Sequence, residues 1–89
     1  MRYVLFYESA EDVLEKAPAH QAEHGRYMRE VQASGDLLMT GPFGDPQEQG
    51  AMSIFTSRAA AEECAKGDPF VLNGVVAKWY VLDWDEGLD

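Results

Sequence analysis

Apolar and polar positions along the chain separate four strand-like runs from two longer helix-like stretches. The strand-like runs are short, rich in aromatic and β-branched side chains, and bounded by turn-forming residues, which is typical of sheet strands. The first run, Arg-Tyr-Val-Leu-Phe-Tyr-Glu, is apolar at nearly every position, as a strand buried on both faces would be. The predicted strands cover residues 2–8, 36–43, 51–56 and 75–84.

The stretch between the first two strands predicts two helices in succession. Ser9 is a plausible N-cap, so residues 10–16 are expected to form a short helix. Pro18 suits the first turn of a longer helix, because a proline there gives up no intrahelical bond. This helix is expected to run to about Ser34 and to end at Gly35.

The remaining connections predict one further helix and several turns. Residues 44–50 are rich in glycine, proline and polar side chains and predict a hairpin-type loop. Ser57 can cap a helix over residues 58–66, which Gly67 ends. Residues 68–74 are expected to make a tight helical turn and a second turn before the last strand.

The resulting order, β-α-β-β-α-β, is that of a ferredoxin-like α+β fold with an antiparallel sheet. Right-handed crossovers put both helices on one face of the sheet and leave the other face bare. Because the first strand is apolar on both faces, the bare face needs a cover. We therefore expect a homodimer in which the bare faces of two copies meet about a two-fold axis.

Length and charge narrow the class of protein. The 89 residues predict a single domain, 1–89, whose acidic tail over 85–89 is expected to be loose. The net charge of −9 disfavours nucleic acids and anionic membranes as partners, because both attract cationic surfaces. Cys64 is the single cysteine and can form no intrachain disulfide, which favours a cytoplasmic location.

His24 is the most chemically informative residue of the long predicted helix. Residues 24, 27, 28 and 31 share one helix face, which is the face expected to pack on the sheet. Burial favours the neutral imidazole unless a carboxylate lies close, and a neutral or carboxylate-paired imidazole is what a general base requires. The alternative is a core histidine satisfied by one hydrogen bond.

Asp68 stands immediately before Pro69 and fits the N-cap of a helical turn. A carboxylate has several acceptor sites, so one oxygen can cap the turn while the other accepts a hydrogen bond from an imidazole. Capping alone and capping combined with pairing to His24 both remain open.

Two further strings carry weaker indications. His20-Gln-Ala-Glu-His24 matches the H-x-x-E-H pattern of inverted zinc peptidases, but those enzymes need a third ligand and a longer chain, so no metal is expected. In residues 39–43, Met-Thr-Gly-Pro-Phe, the hydroxyl of Thr40 lies near a strand end, although the string is also an ordinary bend. No phosphate loop or dinucleotide fingerprint occurs, and no cofactor is expected.

Four strings in the same order resemble the YCII-related family. They are the opening Met-Arg-Tyr-Val-Leu-Phe-Tyr-Glu, His24 upstream of Gly35, Leu-Leu-Met-Thr-Gly-Pro-Phe, and Gly-Asp-Pro-Phe-Val followed by Gly74-Val-Val. The resemblance spans about residues 2 to 84 and implies a ferredoxin-like domain that dimerises into an α/β barrel. It also implies a histidine–aspartate dyad, which by position falls on His24 and Asp68.

Members of the family resemble one another in a small hydroxyl residue before a Gly-Pro pair, and by position this residue is Thr40 in the present sequence. The family resemblance further implies small-molecule chemistry, since one relative is a dehydrochlorinase and the wider superfamily includes isomerases and monooxygenases acting on small rings. We therefore predict a lyase-like or isomerase-like enzyme in which His24 is the general base and Asp68 orients it. Thr40, Tyr7 and Phe43 are the predicted substrate contacts. The alternative is a non-catalytic metabolite-binding or regulatory dimer in which the pair is structural.

Overall fold

Four strands and four helical segments follow one another along residues 1–87, the part of the chain that the computed structural model describes. The strands are β1 (Arg2–Ser9), β2 (Leu37–Pro42), β3 (Ala51–Phe55) and β4 (Val76–Trp84). The helices are α1 (Val13–Ala33), α2 (Pro46–Gln49), α3 (Arg58–Gly67) and α4 (Pro69–Leu72). Because α2 and α4 are single turns, the order of the main elements is the predicted β-α-β-β-α-β.

The sheet has the strand order β2-β3-β1-β4, and each neighbouring pair is antiparallel. This arrangement confirms the predicted ferredoxin-like α+β fold class. β1 is a central strand, which agrees with its apolar sequence on both faces. β2 lies at an edge, where Pro42 can end the strand without removing an N–H from an interior ladder.

The helices cover one face of the sheet, which we call the helix face. Leu5 and Phe55 project from the central strands into this core and are 1% and 0% exposed. α3 packs against them through Ala61, Cys64 and Ala65, whose small side chains allow a close approach of helix and sheet. The core therefore lies between α3, the inner half of α1 and the middle of the sheet.

The opposite side, the outer face, carries the other set of alternating strand residues. Strand pairing places Phe6 opposite both Met52 and Tyr80, so these three side chains lie on one surface. The outer face consists of Val4, Phe6, Met39, Met52, Ile54, Tyr80, Leu82 and Trp84. None of the helices in residues 1–87 has both the length and the apolar character needed to cross a bilayer.

The first helical stretch corrects the sequence-based expectation. α1 is one helix over Val13–Ala33, not a short helix followed by another that begins at Pro18. Pro18 lies inside α1, where its missing N–H removes one backbone bond without ending the helix. Ser9 is not an N-cap, because β1 extends through it opposite Val76 and its hydroxyl donates to the Pro46 carbonyl at 2.6 Å.

The connection between β2 and β3 also differs from the predicted plain loop, because it contains the single turn α2. Asp45 accepts a hydrogen bond from the backbone N–H of Glu48 and Pro46 occupies the start of the turn, which are both ordinary signals of a helix start. Gly50 then leads into β3 with a φ of 75°. A Cβ at Gly50 would lie 1.8 Å from the Tyr7 carbonyl oxygen, so only glycine fits there.

The second helical region follows the prediction. The Ser57 hydroxyl accepts a hydrogen bond from the Ala60 N–H at 3.1 Å, and α3 ends at Gly67. Asp68 then caps the single turn α4. Of the tail that was expected to be loose, residues 85–87 form neither helix nor strand, and residues 88–89 lie outside the described residues.

Candidate functional site

Asp68 is the buried centre of the candidate site. It stands between α3 and α4 with 0% of its surface exposed. Its Oδ1 accepts a hydrogen bond from the Phe70 backbone N–H at 2.9 Å, which is the N-cap expected from the sequence. A carboxylate buried this deeply requires further donors, because each unpaired oxygen site in the interior costs free energy.

His24 supplies the second donor to Asp68. Its Nδ1 lies 2.7 Å from Asp68 Oδ1, and its ring stacks on Phe70 with centroids 3.8 Å apart and planes within 2°. Since a carboxylate only accepts, Nδ1 carries the proton of this bond and Nε2 is the free nitrogen of a neutral ring. The His24 side chain is 20% exposed, so α1 holds the ring at the boundary between core and solvent.

Tyr7 is the third donor to Asp68. Its hydroxyl donates to Asp68 Oδ2 at 2.7 Å from the inward face of β1. Burial, and next the Asp68 carboxylate, raise the pKa of Tyr7 far above its ordinary value, so the phenol remains a neutral donor. The run of β1 is apolar on both faces, so it left open which way Tyr7 points, and nothing near Tyr7 in the chain indicates that its partner is Asp68.

A pocket of about 310 Å³ opens beside this cluster, between α1, α2 and the ends of the central strands. His24 and Tyr7 line it, together with Thr40 from β2, so three of the predicted site residues share one cavity. Most of the remaining wall is apolar. The pocket size is at the small end of the range for ligand sites in proteins, which is about 300 to 1,000 Å³.

Thr40 lines the pocket together with a residue that sequence reasoning missed. Thr40 Oγ1 and Ser53 Oγ are 2.8 Å apart, and Ser53 is 5% exposed on β3. The sequence feature that could have identified Ser53 is a hydroxyl side chain at an inward position of β3, between Ala51 and Phe55. Gln21 is another lining residue that was missed, one helical turn before His24 on α1.

Phe43 shares a cavity with Thr40 but is not brought together with His24, Asp68 or Tyr7. It lines a separate cavity of about 270 Å³ with Met39, Met52 and Ile54, and it does not line the pocket beside His24. Three of these neighbours belong to the outer face. The Phe43 N–H donates to the Gly50 carbonyl at 2.9 Å, so the ladder continues past Pro42, and strand alternation from the inward Thr40 puts Phe43 on the outer side of the sheet.

The two histidines of the H-x-x-E-H string have different surroundings. Among residues 1–87, no three histidine, cysteine, aspartate or glutamate side chains are grouped closely enough to hold a metal ion. His20 does not line the pocket. Its Nδ1 is buried and has no hydrogen-bond partner within the described part of the chain.

Comparisons with known proteins agree with this architecture. The family model of the YCII-related domain matches residues 1–85. A protein of Haemophilus influenzae (strain Rd) is 32% identical, and the match covers 86% of this chain and 89% of that protein.

A solved structure is also similar over nearly the whole chain. It is that of 5-chloro-2-hydroxyhydroquinone dehydrochlorinase from Burkholderia phenoliruptrix AC1100 in complex with 2,5-dihydroxybenzoquinone. The TM-score is 0.78 at 21% identity, and the match covers 98% of this chain and 96% of that one. At this level of identity the likeness is evidence for a common fold.

Proposed function

The chain belongs to the YCII-related domain family, and from this we propose that it is a small-molecule enzyme in which His24 and Asp68 transfer a proton. The main support is one contact, the 2.7 Å approach of Nδ1 of His24, which lines the pocket, to the fully buried Asp68 behind it. A buried carboxylate fixes both the tautomer and the orientation of an imidazole, as a general base requires.

The proposed role of each group follows from this contact. Nε2 of the neutral His24 ring takes a proton from the substrate, and the ring becomes an imidazolium. Asp68 stabilises that cation at Nδ1 and stays ionised, because Tyr7 and the Phe70 N–H continue to donate to it. The imidazolium then returns its proton either to another substrate atom or to water.

Elimination and isomerisation are two reaction classes that one general base of this kind can serve. In elimination, the bond to the abstracted proton supplies the electron pair of a new double bond, and the leaving group departs with the pair of its own bond. In isomerisation, the same proton returns at a different atom. The dehydrochlorinase activity of the structural neighbour supports the elimination class for this chain.

The test is turnover by matched variants at the same position. With 5-chloro-2-hydroxyhydroquinone and related ring compounds in D₂O, we expect the wild-type protein to release chloride or to exchange a ring proton. His24→Asn keeps an amide donor for Asp68 but lacks the basic Nε2, and we expect it to reduce kcat by about 10² to 10⁴. Turnover by His24→Asn at the wild-type rate would exclude His24 as the base.

The second candidate is a non-catalytic metabolite-binding or regulatory module. It is favoured by the number of structural bonds at Asp68, which link α1, β1 and α4 through His24, Tyr7 and Phe70. Thermal melting of His24→Asn and Asp68→Asn separates the two candidates. A large loss of stability with intact ligand binding indicates a structural pair, whereas retained stability with lost turnover indicates catalysis.

The homodimer expected from the sequence is part of the same proposal. Met39, Leu82 and Trp84 on the outer face are 65%, 52% and 49% exposed in the single chain. The rings of Phe6 and Tyr80 stack on the same surface at 5.3 Å. A second copy of the outer face would cover these side chains, since a contiguous group of exposed apolar side chains is typical of an interface. Two predictions from the sequence also belong to the proposal. The net charge of −9 disfavours a nucleic-acid partner, and the single cysteine, Cys64, favours a cytoplasmic location.

A further inference from the structure

The wall of the His24 pocket lacks charged side chains that could bind an anion. Within residues 1–87, the lining includes neither lysine nor arginine, and it includes no aspartate or glutamate. His24 and Asp68 together carry one negative charge when the ring is neutral and no net charge when it is protonated. A phosphate or a carboxylate would therefore enter a mostly apolar pocket without a full positive countercharge, in a protein whose net charge is −9.

Besides His24 and Tyr7, the wall carries a pair of hydrogen-bonded hydroxyls that joins the edge strand β2 to its neighbour β3. Thr40 and Ser53 are directly opposed in the β2–β3 ladder, and their oxygens are 2.8 Å apart. One of the two protons serves the bond between them. The other remains available as a donor, and both oxygens keep unused lone pairs, so the pair can donate to and accept from a ligand.

The two hydroxyls have different surroundings. Ser53 is 5% exposed in the sheet, whereas Thr40 is an exposed residue of the edge strand that also lines the pocket. The hydrogen bond to the buried Ser53 therefore restricts the rotation of the Thr40 side chain. A hydroxyl held in this way loses little conformational entropy when a ligand binds to it.

We propose that Thr40 and Ser53 form the second polar anchor of this pocket, and that its ligand is an uncharged molecule about the size of one ring, bearing hydroxyl or carbonyl oxygens. Thr40 contacts the ligand oxygen, and Ser53 is a positioning residue that acts through Thr40. The inference rests on the proposed use of the pocket as the substrate site, and it adds the substrate class that the pocket selects.

The probes are resorcinol, an uncharged dihydroxybenzene, and phenyl phosphate, which has one similar ring and a charged group. Titrations followed by NMR on the wild-type protein give the dissociation constant and the signals that shift. We expect resorcinol to shift the signals of His24 and Thr40, and phenyl phosphate to bind at least about tenfold more weakly. Equal or tighter binding of phenyl phosphate, or resorcinol binding elsewhere on the protein, would overturn the assignment.

Variants at the anchor test the residues themselves. Thr40→Val removes the hydroxyl with little change in shape, and we expect it to weaken resorcinol binding about three- to tenfold, as does Ser53→Ala. Thr40→Ser restores the hydroxyl and should recover most of the affinity. Thr56→Val is the matched control, because Thr56 bonds Asp36 at the far end of β3 and does not line the pocket. Unchanged affinity in Thr40→Val would disprove the anchor.

The result also separates this inference from the proposed catalysis. If the wild-type protein binds resorcinol through Thr40 but exchanges no proton with any ring compound, the anchor stands and the enzymatic proposal fails. If proton exchange depends on His24 but not on Thr40 or Ser53, the enzymatic proposal stands and the anchor fails. Because Ser53 is buried, Thr40→Val on the exposed edge strand provides the test that does not depend on core stability.

Discussion

At the scale of single residues, Asp68 is held by donors from three different places in the chain. Tyr7→Phe removes the donor to Oδ2 and leaves that oxygen buried without its partner. We expect a loss of about 1 to 3 kcal/mol in the free energy of unfolding, because a buried acceptor loses its bond without regaining water. Urea denaturation measures the loss. Tyr80→Phe is the control and should change stability by less than about 0.5 kcal/mol, because it keeps the ring that stacks on Phe6 and leaves Asp68 untouched.

The thiol of Cys64 provides a pH-dependent prediction at the same scale. Burial, and next the charge of Asp68, raise its pKa to about 12 from an ordinary value of 9.0. The folded protein therefore keeps the thiol protonated at a pH where the unfolded chain loses the proton, so this group lowers stability as the pH rises above 9. We expect iodoacetamide to label the native protein very slowly at pH 8 and the urea-unfolded chain readily, as measured by mass spectrometry. Rapid labelling of the native protein would show that α3 opens.

At the scale of elements, the sequence predicts a helix boundary correctly where a single capping residue determines it. The prediction fails where the boundary depends on packing against distant parts of the chain. Ser57 and Gly67 set the ends of α3, and both were visible in the sequence. Pro18 is a good first-turn residue in isolation, yet it lies within α1. The strand ladder between Ser9 and Val76 extends β1 and leaves the helix to begin at Val13, and this pairing depends on residues far apart in the chain.

The turn into β3 gives the prediction at the element scale. Gly50 has a φ of 75°, and an added Cβ would lie 1.8 Å from the Tyr7 carbonyl oxygen, which is backbone and cannot move aside without disturbing β1. We expect Gly50→Ala to lower the free energy of unfolding by at least about 2 kcal/mol. Gly44→Ala is the matched control in the same connection, because no atom lies within 4 Å of its added Cβ. Equal melting temperatures for the two variants would contradict this account.

At the scale of the whole molecule, the site is assembled from long-range contacts. The bond between Tyr7 and Asp68 joins residues 61 apart in the chain, and that between His24 and Asp68 joins residues 44 apart. Periodicity describes one element at a time, so it predicted that His24 faces inward on its helix but left the direction of Tyr7 open on a strand that is apolar on both faces. Their meeting at Asp68 depends on how the helices cross the sheet, and so does the pairing of Thr40 with Ser53. The sequence alone therefore supplied the pair only through the resemblance to a family.

The outer face gives the prediction for the assembled molecule. If two copies meet there, the wild-type protein has a mass in solution of about twice the 9.9 kDa of one chain. We expect Leu82→Glu to give a folded monomer, because a carboxylate buried against the apolar partner face has no countercharge and loses its water. Leu72→Glu is the control, since Leu72 is 67% exposed on α4 and lies off the outer face. Light scattering after size-exclusion chromatography measures the masses, and a Leu82→Glu protein that stays dimeric would show that the two copies meet on another surface.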